Sequence, residues 1–320
     1  MAQAARLDRT NAEAGDLLDH RLSIMVLIGG PSAERAVSLA SGEAVAAALE
    51  SRGHHVSRAD VSPEDLSALE QGDVDVVFVA LHGSFGEDGQ LQHILEQRGL
   101  RYTGSDPKAS RLGMDKIEAK RRFAQVGVPP PPFVVVEANR RGHVALEFPL
   151  PVVVKPADQG SSVDCSIVRQ ASELDEAVTH IVDTYGRCLI EPYIRGPELT
   201  VGILAGRALP VCQIRSATAF YDYEAKYKDD RTEYLFDVDL PGELLQRVQR
   251  LSVSAFEALG CRDMSRVDWM VDAATFQPYC LEVNTIPGFT SHSLLPKAAA
   301  RAGISFADLC EQLVRLAMQR

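Results

Sequence analysis

Two stretches near the C-terminal end carry the residues best suited to chemistry. Ser265-Arg266-Val267-Asp268-Trp269-Met270-Val271 and Tyr279-Cys280-Leu281-Glu282-Val283-Asn284 both alternate polar with apolar residues, and the segment Asp272–Pro278 between them reads as a turn. A side-chain period of two puts Arg266 and Asp268 on one face of the first strand, and Glu282 and Asn284 on one face of the second. Paired as a hairpin, the strands would gather two carboxylates, an amide and a guanidinium. The plainer reading is a solvated polar sheet face. Against it, Val267, Trp269, Leu281 and Val283 already supply an apolar face. The all-oxygen set Asp268, Glu282 and Asn284 suits a hard ion such as Mg²⁺ rather than zinc. Arg266 beside it is the residue type that stabilises phosphate oxygens. The chemistry expected is phosphoryl transfer.

The elements that must position this set can be read along the chain. Ser23–Ile28 is a continuous apolar run stopping at Gly29-Gly30, the pattern of a buried parallel strand entering a tight turn. A helix opening at Pro31–Arg35 and running to about Gly53 follows, with Ser32 as its cap. Strands near Val56–Val61 and Val74–Leu81 complete a β-α-β-α-β order, which makes the first lobe doubly wound. Ligand sites in such sheets lie beyond the carboxyl ends of the strands, where Glu34 and His82 fall. Glu34 in a first helical turn can receive an ammonium group, or simply start the helix. His82, in LHGSFGEDG, either serves a site or bonds local backbone.

Tyr102–Pro107 is rich in turn formers and reads as a lobe boundary, followed by one helix from about Lys108 to Val126. Four prolines, Pro129 to Pro132, form a stiff connector. Val152–Pro156 is a strand containing Lys155. The Gly160-Ser161-Ser162 turn beyond it offers backbone N–H groups and hydroxyls to a phosphate, or is an ordinary turn. A helix at about Glu173–Tyr185 leads to a strand at Cys188–Glu191. Glu191, Tyr193 and Ile194 can read a purine edge, and Glu198 can accept ribose hydroxyls. The polar, aromatic stretch Tyr221–Asp230 is long enough for a lid, or is a surface loop. Helices at Leu244–Leu259 and Phe306–Met318 have packing periodicity.

At 320 residues the chain is long enough for two or three lobes, and its 24% charged and 46% hydrophobic residues are ordinary for a soluble globular protein. The net charge of -11 argues against nucleic-acid or anionic-membrane partners. Six scattered cysteines without a CxxC pair read as reduced core residues of a cytoplasmic protein. There is no membrane-length apolar run and no apolar signal-peptide region in residues 1–22, which read as a polar N-terminal extension.

Taken together, GGPSAERAVS, LHGSFGEDG, YTGSDPKAS with MDK, VKPADQGSSV, GPELTV, FYDYEAKY, SRVDWM and LEVNTIPGFTSHSL, in this order, resemble the D-alanine–D-alanine ligase family of ATP-grasp enzymes from about Ile24 to about Met318. The resemblance implies an α/β, three-lobe ATP-grasp fold. Its parts would be a substrate lobe over 23–104, a central lobe over 105–191 and a catalytic lobe over 192–320. It also implies that ATP phosphorylates the carboxylate of one D-alanine and that the amine of a second attacks the acyl phosphate. Lys116, Lys155 and Lys226 would meet ATP phosphates, Glu191, Tyr193 and Ile194 the adenine, and Glu198 the ribose. Asp268, Glu282 and Asn284 would hold Mg²⁺, with Mn²⁺ as a substitute. Arg266 and the Gly288 backbone would stabilise the tetrahedral intermediate. Glu34 would bind the first ammonium with His82 beside it. Glu34, Ser161 and Tyr227 would tie the lid, and Ser293 and Leu294 would hold the second carboxylate. A homodimer is expected.

Three residues depart from the family pattern. Asp164 stands where glycine is usual after Gly-Ser-Ser-Val, His93 follows Leu91-Gln92 in place of a small residue, and Trp269 is larger than usual. Asp164 is expected to point outward, since pointing inward it would repel ATP. A ligase joining other amino acids, keeping the ATP residues but changing the pocket, is the competing reading. A nucleotide-binding protein without catalysis fits poorly with an intact Asp268, Glu282 and Asn284. A dinucleotide oxidoreductase fits worse, for want of GxGxxG.

Overall fold

The structure, a computed structural model, describes residues 21–70, 72–138, 145–216 and 231–320, and every structural statement below concerns these. Tyr227, Lys226, the rest of the expected lid and nearly all of the N-terminal extension lie outside them.

The first sheet grows from β1 (Ser23–Ile28), whose uninterrupted apolar residues are buried on both faces as a central parallel strand requires. Helix α1 (Arg35–Ser51) returns the chain to β2 (His55–Asp60), and β3 (Val76–Val79) pairs on the other side of β1, giving the parallel order β2-β1-β3. Gly42 is what lets α1 lie this close to the sheet: a Cβ there would stand 1.9 Å from Ile28 Cγ2. Two expectations need correcting. The second crossover carries only a 3₁₀ turn at Ser67–Glu70, not a helix, because Leu66 and Leu69 are too few apolar residues to bury one. Ser32 does not cap α1. Its hydroxyl accepts from Glu34 N at 3.2 Å and donates to His82 O at 2.6 Å, fastening the turn after β1 to the end of the β3 segment.

Helix α2 (Gln90–Gln97) follows, and then the expected single helix over Lys108–Val126 proves to be two, α3 (Pro107–Met114) and α4 (Lys116–Gln125). Asp115 breaks them: its extended backbone lets its carboxylate accept from Ile117 N and Glu118 N at 3.1 Å each, so it caps α4. Phe123 and Ala119 of α4 pack into the core of the third sheet. The second sheet, ordered β4-β7-β5-β6, contains β4 (Val134–Glu137), β5 (Val152–Pro156), β6 (Ser166–Val168) and β7 (Arg187–Pro192). It is covered by α5 (Ala171–Tyr185), whose Gln170/Glu173 capping box starts it two residues before the expected Glu173.

The third sheet holds β8 (Glu198–Leu204), β9 (Arg207–Ala208), β10 (Cys212–Arg215), β11 (Glu233–Leu235), β12 (Met264–Val271) and β13 (Pro278–Asn284), with β12 between β8 and β13. Helix α6 (Gly242–Leu259) covers it, and Trp269 Nε1 donates to Ser252 Oγ of that helix at 2.9 Å. The final helices are α7 (Leu294–Arg301) and α8 (Phe306–Met318); α8 packs against α1 and β3, so the C-terminal end of the chain completes the first core.

Candidate active site

The expected hairpin forms. Arg266 stands opposite Asn284 and Asp268 opposite Glu282 in the β12–β13 register. The pairing then slips by one residue, Trp269 facing Cys280, which leaves Leu281 as a bulge. Strict alternation had placed Leu281 on the core face. Instead Cys280 is fully buried beside Trp269, and Leu281 turns to the same side as Glu282.

That side lines a cavity of about 680 Å³, within the size range of small-molecule sites, between the second and third sheets. Lys155 of β5, Glu191, Tyr193 and Ile194 at the end of β7, Glu198 of β8, and Asp268 and Glu282 of the hairpin all face it, as does Lys116. A narrower cavity adjoins it, walled by Glu34, Ser161, Arg266, Asn284 and Glu87; Lys116 and Glu282 belong to both. Residues spread over 250 positions of sequence therefore meet at one seam.

The seam is heavily charged. Arg266 grips Asp268 bidentately, Nε to Oδ1 at 2.9 Å and Nη2 to Oδ2 at 2.7 Å, and Thr200 Oγ1 donates to Asp268 Oδ1 at 2.7 Å. Lys116 Nζ lies 3.4 Å from Glu282 Oε2 and donates to Gln159 O at 2.5 Å. Glu191 lies between Lys120 Nζ at 2.6 Å and Lys155 Nζ at 2.8 Å. Burial alone would raise the Glu191 pKa, but the two ammonium groups outweigh it and hold the carboxyl below its usual range. Burial pulls Lys155 down, yet Glu191 leaves it raised overall.

At the smaller cavity, Ser161 Oγ donates to Glu34 Oε1, tying the turn after β5 to the first lobe. Gly83 is required here: its φ is +70°, and a Cβ would stand 2.8 Å from Glu34 Oε2. His82 is buried, with Nδ1 3.1 Å from Ile286 O and 3.3 Å from Glu87 Oε1, and Nε2 3.3 Å from Ser41 Oγ. Ser41 Oγ in turn accepts from Phe289 N at 3.0 Å, so His82 and Ser41 brace the Ile286–Phe289 segment that contains Gly288. Ser293 heads α7 and its Oγ accepts from Thr290 N at 2.9 Å, while Leu294 buries its side chain with Cys212 and Ile214. What Leu294 offers outward is the backbone N–H of a helix's first turn. Asn284 Oδ1 accepts from Ile286 N at 3.0 Å and keeps a second lone pair.

The departures from the family pattern are harmless to the seam. Asp164 is exposed, absent from both cavity linings, and accepts from Tyr185 Oη at 2.5 Å on α5. His93 is exposed and lies 3.0 Å from Gln97 Nε2. Trp269 is buried on the face opposite Asp268. Cys165 corrects the reading of the cysteines: the other five are buried, but it lines the larger cavity. Sequence reasoning passed over Lys120, Glu87, Ser41 and Thr200. Glu87 lies within LHGSFGEDG and Thr200 within GPELTV, and Lys120 falls four residues after Lys116 on the same helix face.

A parallel α/β lobe joined to two sheets that clasp a nucleotide-sized cavity defines an ATP-grasp protein. The family model described as D-ala D-ala ligase C-terminus matches residues 123–315, and its N-terminal counterpart matches residues 57–105. The chain is 46% identical over 305 residues to the D-alanine–D-alanine ligase of Desulforudis audaxviator, covering 93% of this chain and 99% of that one. It is 43% identical over 301 residues to that of Herminiimonas arsenicoxydans, covering 91% and 90%. The crystal structure of D-alanine–D-alanine ligase from Bacillus anthracis complexed with ATP aligns with a TM-score of 0.80 at 32% identity, covering 93% of this chain and 98% of that one. This chain belongs to the D-alanine–D-alanine ligase family.

Proposed function

We propose that the chain joins two D-alanines in an ATP-dependent reaction, giving D-alanyl-D-alanine, ADP and phosphate for peptidoglycan precursors. One observation carries this: a nucleotide-sized cavity and a small acid-lined cavity meet at Lys116 and Glu282, where a phosphoryl group would have to pass. In this reading Tyr193 and Ile194 flank the adenine, Glu191 accepts from its edge, Glu198 takes the ribose, and Lys116 and Lys155 hold phosphates. Glu34 receives the ammonium of the first D-alanine, with His82 bracing the wall beside it. The first carboxylate attacks the γ-phosphorus and ADP leaves; the second amine attacks the acyl carbon and phosphate leaves. Arg266 and the Gly288 N–H stabilise the oxyanion of that second step, with Ser293 and the Leu294 backbone holding the second carboxylate. Lys226 and Tyr227, which lie outside the described residues, complete the set as lid contacts, since an acyl phosphate needs a site closed to water.

The donor set fits a hard divalent ion. Asp268 and Glu282 are directly opposite in register, Asn284 is two residues further on, and the cations Arg266 and Lys116 sit against the two carboxylates. These three residues would hold Mg²⁺, which supplies positive charge toward phosphate oxygens when bound. Among the described residues no helix is long and apolar enough to cross a membrane. A cytoplasmic homodimer belongs to the same reading, on the strength of the family.

The test is phosphate release with ATP and Mg²⁺, comparing D-alanine with L-alanine, D-serine and D-lactate, and identifying the product by mass. D-alanine-dependent release with D-alanyl-D-alanine formed is the expected result. Silence with D-alanine and turnover with another amino acid would replace this reading with that of a ligase from a specialised pathway.

A further inference from the structure

The charge balance of the larger cavity is set partly by a residue that does not line it. Lys120 lies on α4 one turn after Lys116 and is fully buried. Its Nζ is 2.6 Å from Glu191 Oε1, and Lys155 Nζ is 2.8 Å from Oε2 of the same carboxylate. Lys155 and Glu191 face the cavity, whereas Lys120 approaches from the protein interior. A fully buried ammonium is costly and is found where it is paired, and a methionine would fill the same volume at lower cost. A lysine here therefore points to a requirement for charge rather than for bulk.

The arithmetic of the cluster shows what that charge does. Two ammonium groups and one carboxylate leave a net single positive charge, displayed at Lys155. Without Lys120, Glu191 and Lys155 would form a closed neutral pair, and Lys155 would have little attraction left for an anion. Burial, with the neighbouring Lys155 charge, leaves the Lys120 pKa lowered, and Glu191 limits that fall. We propose that Lys120 is a positioning residue that neutralises Glu191 from behind and so leaves the charge of Lys155 available to a nucleotide phosphate. This rests on the reading that the larger cavity takes ATP.

The test is the ratio of ATP to adenosine affinity, from calorimetric titrations of the full chain, because that ratio isolates the phosphate contribution. The wild-type chain should bind both, ATP more tightly; failure there would overturn the functional reading itself. Lys120→Met should lower ATP affinity about tenfold while adenosine affinity moves by less than about threefold. The double variant Lys120→Met with Glu191→Gln removes both buried charges together and should bring the ratio back to within about threefold of wild type. An unchanged ratio in Lys120→Met, or equal losses for ATP and adenosine, would reduce Lys120 to a packing role and overturn the proposal. Should Lys120→Met fail to fold, the double variant is set against Glu191→Gln alone. Both must then keep a ratio no lower than about a third of the wild-type value, and a tenfold deficit in the double variant overturns the proposal.

Discussion

Glu282 lines both cavities and stands opposite Asp268, which places it at the junction of the two halves of the proposed reaction. Glu282→Gln keeps the size of the side chain and removes its charge. It is expected to lower D-alanine-dependent phosphate release by at least about a hundredfold. Thermal unfolding should change little, because Val283 and Cys280, which anchor the strand in the core, are untouched. Turnover at the wild-type rate would remove Glu282 from the metal set. His82 offers a different experiment. Burial lowers its pKa, but the hydrogen bond and charge of Glu87, with Glu34 behind it, leave it raised, while burial also raises Glu87. Folding therefore favours protonated His82. That contribution is complete below about pH 6.5 and is lost as pH rises through the higher folded-state value. His82→Gln should cost about 1–3 kcal/mol at about pH 6 in urea unfolding. The gap from wild type should narrow toward about pH 9, and a gap that widens with pH would contradict the pairing.

Elements aim these residues. Asp115 separates α3 from α4, caps α4 and takes Arg187 Nη1 at 2.9 Å, and Lys116 immediately follows it, its own N–H bonded to Ala157 O at 2.9 Å. Asp115→Ala should cost about 1–2 kcal/mol in chemical denaturation. It should also raise KM for ATP more than KM for D-alanine, because the aim of Lys116 depends on this break. Equal changes in both constants would mean that the cap serves the fold alone. The bulge at Leu281 acts in the same way on β13. It interrupts the alternation so that Cys280 can pack beside Trp269 while Leu281 and Glu282 both face the cavity.

At the scale of the molecule, the first core is closed by the last helix. Leu309 and Leu313 of α8 are fully buried in the cluster that contains β1 and β3, and His54 Nε2 lies 2.8 Å from Glu311 Oε2 at its edge. Leu313→Ala should therefore cost about 3 kcal/mol, read by urea unfolding with an intrinsic fluorescence or circular dichroism signal. Activity per folded molecule should hold, because Leu313 touches neither cavity. A cost below about 1 kcal/mol would show α8 to be peripheral.

Sequence alone determined what depends on short spacing. The alternation in β12 and β13 set Arg266 with Asp268 and Glu282 with Asn284 on shared faces, the apolar run of β1 marked a buried parallel strand, and the ordered motifs carried the family. Those are consequences of chain geometry acting over two to seven residues. Tertiary structure decided the rest. The Leu281 bulge puts Cys280 rather than Leu281 opposite the buried Trp269. The first core is completed by α8, from the other end of the chain, packing against α1 and β3. The pairing of Lys120 with Glu191 joins residues that share no local pattern, because a buried charge finds its partner through space and not along the sequence.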